Sequence, residues 1–197
     1  MSAEPAGSGG AGSAIVRPPE LIDLGRIQLA RMRSADGPAM AAATRANMTH
    51  LSPHIRWGTP EGTSLEFQQE RCDQAELGWQ DGSLYAWAVR EQPDGPIIGA
   101  CGLHNRVGPG ATEVGYWLDA RHTGRGLITD AVRAITEIGL ALPGIERVEL
   151  HTDETNLASS AVARRLGYLL EETRDAEPWG AEDSGRLQIW VTYPLPR

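Results

Sequence analysis

The sequence predicts one α/β domain built on a mixed sheet. Three observations carry that expectation. Between residues 84 and 119, three β-patterned runs follow one another across tight Gly and Pro turns, the signature of an antiparallel meander. Beyond residue 126 the apolar spacing becomes helical, and helix-like runs alternate with short strand-like runs, as crossover connections do. The chain has 197 residues, enough for one sizeable core and cramped for two.

Residues 1–16 are Gly-, Ser- and Ala-rich and read as a flexible tail ahead of a single domain over 17–197. No strand precedes the Gly-rich stretch and no helix follows closely, so it is not a phosphate loop. Arg26–Arg33 alternates as a strand, and Ser34 or Asp36 can cap a helix running to about Asn47. A stretch holding Pro53, His50, His54 and Trp57 follows. Thr63-Ser64-Leu65-Glu66 has the capping-box pattern and opens a second helix, with Leu65, Cys72 and Ala75 expected inward.

Leu84–Arg90, Ile97–Leu103 and Thr112–Asp119 form the meander, with Gln92–Gly95 and Val107–Ala111 as its turns. Gly115 interrupts the third strand, which predicts a bulge or a close approach there. Leu127, Ala131, Ile135 and Ile138 define a helix over 126–141 that Pro143-Gly144 ends. A strand at 146–152, a helix at 156–166, a strand at 168–173 and a strand at 186–193 complete the chain. The expected order is β-α-α-β-β-β-α-β-α-β-β.

Charge and composition exclude several classes. The net charge is −8, with 18 Arg, no Lys and 26 acids. That balance argues against nucleic-acid backbone binding, which needs clustered positive charge. Without Lys there is no Schiff-base chemistry. The sequence holds no apolar run of membrane length and no signal-peptide pattern at residues 1–13, so a cytoplasmic protein with no membrane partner is expected. Two Cys have neither metal spacing nor a disulfide framework. His50 and His54 are four apart, but Pro53 lies between them and no third ligand is evident, so no metal is assigned. Residues 61–115 carry three Arg against nine acids, a surface that could attract a cationic partner or simply be solvated.

The sharpest motif is Arg121-His122-Thr123-Gly124-Arg125-Gly126, between a strand and a helix. Backbone amides converge in such a turn, and the helix N-terminus adds partial positive charge. It can cradle a pyrophosphate or be a plain Gly turn. It is neither a Walker loop nor a dinucleotide fingerprint. A second motif is Asn156-x-x-Ser159-x-x-Val162-x-x-x-Leu166-Gly167-Tyr168. Asn156 is placed to cap its helix, and Ser159 lies one turn on, along the same face.

Together, in this order and spacing, the two motifs resemble those of the GNAT N-acetyltransferases in their RimJ/RimL-like form, over about residues 24–195. The resemblance implies a GNAT-like fold and an acetyl-CoA-dependent enzyme that acetylates a primary amine by direct attack in a ternary complex. Backbone amides from His122 through Thr123, Gly124 and Arg125 to Gly126 would hold the pyrophosphate, with Arg121 opening the motif. Thr129 could bond a phosphate. Trp117 and Leu118 would pair with the pantetheine arm, Asn156 would contact it, and Ser159 would sit near the sulfur.

Many members carry a Tyr acid on that helix. Its position here is Ala163, which leaves Ser159 to hydrogen-bond the departing thiolate. The base is open between Glu113, Glu177 and none, an α-amine titrating near ~8 and a Lys amine near ~10.4. Trp57, His54 and Trp179 flank the expected acceptor site, where ring stacking and plain packing are both open. The acceptor is a protein N-terminus or a small-molecule amine. Members of the family are often homodimers. A non-catalytic acyl-CoA-binding module and a nucleotide-binding protein are the rivals.

Overall fold

The computed structural model describes residues 16–194; of the expected tail, 1–15 lie outside the described residues. The element order is β1 (Leu21–Asp23), β2 (Gln28–Arg31), α1 (Gly37–Ala46), α2 (Met48–Leu51), α3 (Leu65–Asp81), β3 (Leu84–Arg90), β4 (Ile97–His104), β5 (Ala111–Leu118), α4 (Leu127–Ala141), β6 (Arg147–Asp153), α5 (Leu157–Arg165), β7 (Leu169–Asp175) and β8 (Arg186–Thr192). The mixed α/β sheet is present, with strands in the order β1-β2-β3-β4-β5-β6-β8-β7.

The departures from expectation have local causes. The sequence reading missed β1, which pairs antiparallel with β2 and shortens the expected strand at 26–33 to four residues. Three residues are too few for a periodic pattern to register. Ser64, not Thr63, caps α3 by accepting from the Phe67 N–H, while the Thr63 hydroxyl donates to the Pro60 carbonyl. Moving the cap by one residue turns Leu65 outward, where it is 51% exposed, while Cys72 and Ala75 are buried as expected. Burial pushes the Cys72 thiol up to about 11 and raises Cys101 too, so both are inert core groups. No bulge occurs at Gly115. Its register with Gly102 on β4 is regular, and the sheet's irregularities fall at Val89/Arg90 and Leu170/Glu172. Gly115 instead makes room for His104, whose Nε2 would lie 3.1 Å from a Cβ there.

The two faces of the sheet are covered differently. On one face Leu103, Val114, Leu118, Val148, Leu150 and Trp190 pack against α4 and α5 through Leu127, Ile135 and Val162. On the other, Ala86, Ala88 and Trp117 pack against α1 and α3 through Met40, Cys72 and Ala75. Strand alternation therefore sends Glu113, Gly115 and Trp117 toward α3, and Val114, Tyr116 and Leu118 toward α4 and α5. Among the described residues, no helix is long and apolar enough to cross a membrane.

Candidate active site

The site begins where two parallel strands separate. β5 and β6 pair only from Ala111 to Glu113 against Arg147 to Glu149. Beyond that point β5 stays on β4 through Leu118, and β6 stays on β8 through Asp153, so a gap opens between them. The Gly110 carbonyl accepts from Arg147 N–H on the β6 side, and the Asp119 N–H donates to the Ile98 carbonyl on the β4 side. Alternation then turns the backbone groups of Tyr116 and Leu118 into the gap. The Leu118 backbone groups therefore face the gap, whereas those of Trp117 face β4.

At the head of the gap lies the Gly turn. Asp119, buried at its start, accepts from the Arg121 N–H at 2.8 Å and pairs with the Arg121 guanidinium at 2.7 Å. Asn47 of the α1–α2 junction donates to Asp119 and accepts from the Ala120 N–H. The Arg121 guanidinium and Asn47 hold the Asp119 carboxyl well below the ordinary carboxylate range. Gly124 and Gly126 take positive φ of 72° and 78°, and Gly126 is the N-cap of α4.

Not all of the amides expected to hold the pyrophosphate are free. His122 N–H donates to the Asp119 carbonyl and Thr123 N–H to the Ala120 carbonyl, so both are taken. The N–H groups of Gly124 through Thr129 have no protein acceptor among the described residues, and the first helical bond is Asp130 N–H to the Gly126 carbonyl. Thr129 is buried in that first turn. Arg125 pairs with Glu91 at 2.8 Å, and Arg26 bonds the Arg125 carbonyl and Asp130, pinning the turn to the sheet edge.

Across the gap, α5 supplies Asn156 and Ser159. Asn156 caps the helix, its Oδ1 accepting from the Ser159 N–H at 3.1 Å, so that oxygen is committed to the cap. The Ser159 hydroxyl lies 2.8 Å from the Tyr116 hydroxyl. Burial pushes that phenol up to about 12, which keeps it a neutral donor. Sequence reading missed Tyr116. The signal was the period-two alternation of β5, which opposes Tyr116 to Glu113 and Gly115 and turns it toward α5. Ala163, where many relatives have Tyr, is fully buried core.

The other face of the gap holds the remaining candidates. Glu113 is buried, and both its oxygens are held at 2.8 Å by Arg106. Burial alone would raise its carboxyl, but the Arg106 guanidinium prevails and lowers it. His104 sits beside it, pushed down to about 4 by burial, with Arg106 and Arg71 adding to the effect. Trp57 meets Trp117 edge-to-face at 6.4 Å, and the Arg71 guanidinium lies over the Trp57 ring.

Glu177 is largely solvent-exposed and lies 3.6 Å from Arg56. His54 bonds Asp183 at 2.6 Å, and Asp183 also accepts from the N–H groups of Trp179 and Gly180. Trp179 packs against Leu187, Ile189 and Val191. The loop between β7 and β8 is therefore a strap tied across to the segment after α2. Ala181 and Glu182 N–H groups donate to the Ser52 and Pro53 carbonyls. His54 and Trp179 thus build the wall of this face. A concavity of about 890 Å³ continues along it, lined by Arg106, Glu149, His151, Ile189 and Val191 among others.

Known proteins share this architecture. The chain is 26% identical over 108 residues to the "Probable N-acetyltransferase YjcK" of Bacillus subtilis (strain 168), covering 53% of this chain and 59% of that one. It is 35% identical over 69 residues to the ribosomal-protein-serine acetyltransferase of Escherichia coli (strain K12), covering 34% of this chain and 38% of that one. In both cases the match spans less than two thirds of the relative. The solved structure of RimL, a ribosomal L7/L12 alpha-N-protein acetyltransferase in complex with coenzyme A, superposes with TM-score 0.79 at 22% identity, covering 88% of this chain and 98% of that one. At that identity the likeness establishes the fold. The acetyltransferase (GNAT) domain pattern matches residues 26–169, more than half of the chain and all of the strand–turn–helix unit and α5, so the chain belongs to the GNAT acetyltransferase family.

Proposed function

We propose that this protein transfers the acetyl group of acetyl-CoA to a primary amine. The observation that carries the reading is the gap between β5 and β6 beyond Glu113 and Glu149, headed by the amides of Gly124 to Thr129, which have no protein acceptor among the described residues. Backbone N–H groups at a helix N-terminus bind phosphate without needing a net-basic protein, which reconciles the site with a charge of −8. RimL, which shares the fold, was solved with coenzyme A. The Leu118 backbone is free to pair with an extended pantetheine arm laid along β5.

The two faces of the gap divide the work. On the helix side, Tyr116 and Ser159 form one hydroxyl pair at 2.8 Å. As the amine nitrogen bonds to the thioester carbon and the carbon–sulfur bond breaks, Ser159 donates a hydrogen bond to the leaving sulfur and Tyr116 backs it. The aromatic hydroxyl that other members carry on the helix is here carried by β5. On the α3 side, Glu113 is held by Arg106 and Glu177 stands at the surface beside Arg56. An amine that arrives neutral and attacks directly fits those surroundings best, with its proton passing to solvent. The acceptor is a protein N-terminus or a small amine, and the ribosomal-protein-serine acetyltransferase among the relatives favours a protein.

Free thiol released from acetyl-CoA, measured against a panel of N-terminal peptides and small amines, tests the reading. Amine-dependent, saturable release supports it. Saturable CoA binding without release on any acceptor would leave a binding module instead, and tight ATP binding that CoA does not displace would overturn it.

A further inference from the structure

Arg71 is a cation on the acceptor face to which no acid is assigned among the described residues. α3 carries it, and its guanidinium centre lies 4.3 Å from the Trp57 ring centroid. Trp57 in turn contacts Trp117, which stands on β5 two residues beyond Gly115. The neighbouring Arg106 guanidinium is committed to Glu113, as Arg56 is to Glu177, Arg121 to Asp119 and Arg125 to Glu91. Among the described residues Arg71 has neither an ion pair nor a hydrogen bond; its neighbour Cys72 is a thiol that burial keeps protonated near neutral pH, and the like charge of Arg106 also acts on it. His104, on the same face, stays neutral and adds no acid.

Burial pushes the Arg71 guanidinium down to about 10, so it remains charged near neutral pH. A partly desolvated cation beside a second cation is unfavourable unless something supplies the opposite charge. Its planar fork, held over an indole, is pre-organised for two-pronged binding of an oxyanion. The rest of the chain is net acidic and repels anions at long range, so a local oxyanion site selects among acceptors rather than collecting them.

We propose that Arg71, on its Trp57 platform, binds an oxyanion, carboxylate or phosphate, that the acceptor carries close to its reacting amine. The inference rests on the acetyl-transfer reading and names the acceptor class within it. An acidic residue near the N-terminus of a peptide, or a phosphorylated one, meets the requirement.

The test uses the full chain and tetrapeptides with N-terminal Ser: Asp, Asn or phosphoserine at the second position, and the Asp/Asn pair again at the third. The wild-type protein should favour an Asp peptide over its Asn counterpart in kcat/KM by about tenfold, the scale of one charge-assisted bond. Arg71→Gln should bring that ratio to within about twofold while the KM for acetyl-CoA holds. Arg71→Lys should retain part of the preference. The phosphoserine peptide shows which oxyanion the site prefers. A wild-type ratio near one, or a ratio that Arg71→Gln leaves intact, overturns the proposal. Calorimetric titration of the same peptides in the presence of CoA reads the preference without turnover. If no peptide or small amine is acetylated, the transferase reading fails, while the calorimetric ratio still decides the oxyanion site.

Discussion

The Tyr116 hydroxyl on β5 and the Ser159 hydroxyl on α5 lie 2.8 Å apart, a side-chain bond that spans the gap between the separated strands on the helix side. Its partners come from opposite walls, 43 residues apart in the chain. A Ser hydroxyl alone is a poor acid. Backed by a phenol whose pKa burial has raised to about 12, it keeps a fixed orientation and a steady donor behind it.

Tyr116→Phe and Ser159→Ala should each lower kcat by about 10–100-fold while leaving the KM for acetyl-CoA within about twofold. The double variant should lose little more than the worse single one, because the two hydroxyls act as a unit. Since Tyr116 stays protonated up to about 12, the wild-type kcat should show no falling limb from this group between pH 7 and 9. Steady-state thiol release across that range checks all three statements. Additive losses would separate the two roles.

Gly126→Ala tests the amide cradle. No atom but the end of Arg26, at 3.7 Å, would meet the new Cβ, so the cost is conformational. At φ of 78° an L-residue is disfavoured by about 1–2 kcal/mol. The residue is the N-cap of α4, so relaxation rotates the amides after it. The expected outcome is a loss of about 1 kcal/mol or more in denaturant stability, together with roughly tenfold weaker CoA binding by calorimetry. Gly144→Ala has the same φ of 78° and open space, but lies beyond the C-terminal end of α4. It should cost similar stability and leave CoA binding unchanged.

The sequence carried the frame of this site because its signals were local. The meander, the turn before α4 and the cap at Asn156 each follow from residues a few positions apart. What escaped depended on pairing at long range. The hydroxyl pair needs β5 and α5 side by side. The strap needs Asp183 to meet His54 across 129 residues. The run of free amides starts later than expected because the Asp119 carbonyl accepts from the His122 N–H, which the motif alone leaves free. Arg106 decided the state of Glu113 in the same way. A carboxylate in a strand reads as a base until its partner is known.

Glu113 gives a sign for the effect of acid. Its folded pKa is lowered relative to the ordinary value near ~4.3, so the ion pair stabilises fully above that value and is lost as pH falls through the folded pKa. Glu113→Gln should be less stable than wild type at pH 7, by about 2 kcal/mol, because it leaves Arg106 unpaired and a buried amide in place of the carboxylate. The difference should shrink steadily below about pH 4. Denaturant midpoints of the two proteins between pH 3 and 7 measure it. Asp119 and Asp153 also contribute to acid sensitivity, but equally in both proteins, so the difference isolates Glu113. A difference that does not change with pH would mean the carboxylate is not what stabilises this corner.

Gly180→Ala tests whether the strap shapes the acceptor side. A Cβ at Gly180 would collide with the Pro53 carbonyl and the His54 nitrogen, backbone atoms that cannot swing aside. The strap must lift, and with it go the Ala181 and Glu182 bonds to the segment after α2 and the His54–Asp183 pair. Asp183→Ala removes the same pair and both loop N–H bonds without a clash. The sheet beneath is held independently, since Asp153 accepts from the Ser184, Gly185 and Arg186 N–H groups at the end of the loop. Both variants should therefore keep CoA affinity and lose little stability. Acceptor KM should rise by about tenfold, as the wall that these bonds hold is displaced. Initial rates against acceptor concentration at saturating acetyl-CoA read this directly. A rise in acetyl-CoA KM of the same size would instead place the strap over the cofactor side of the gap, and the division of the two faces would have to be redrawn.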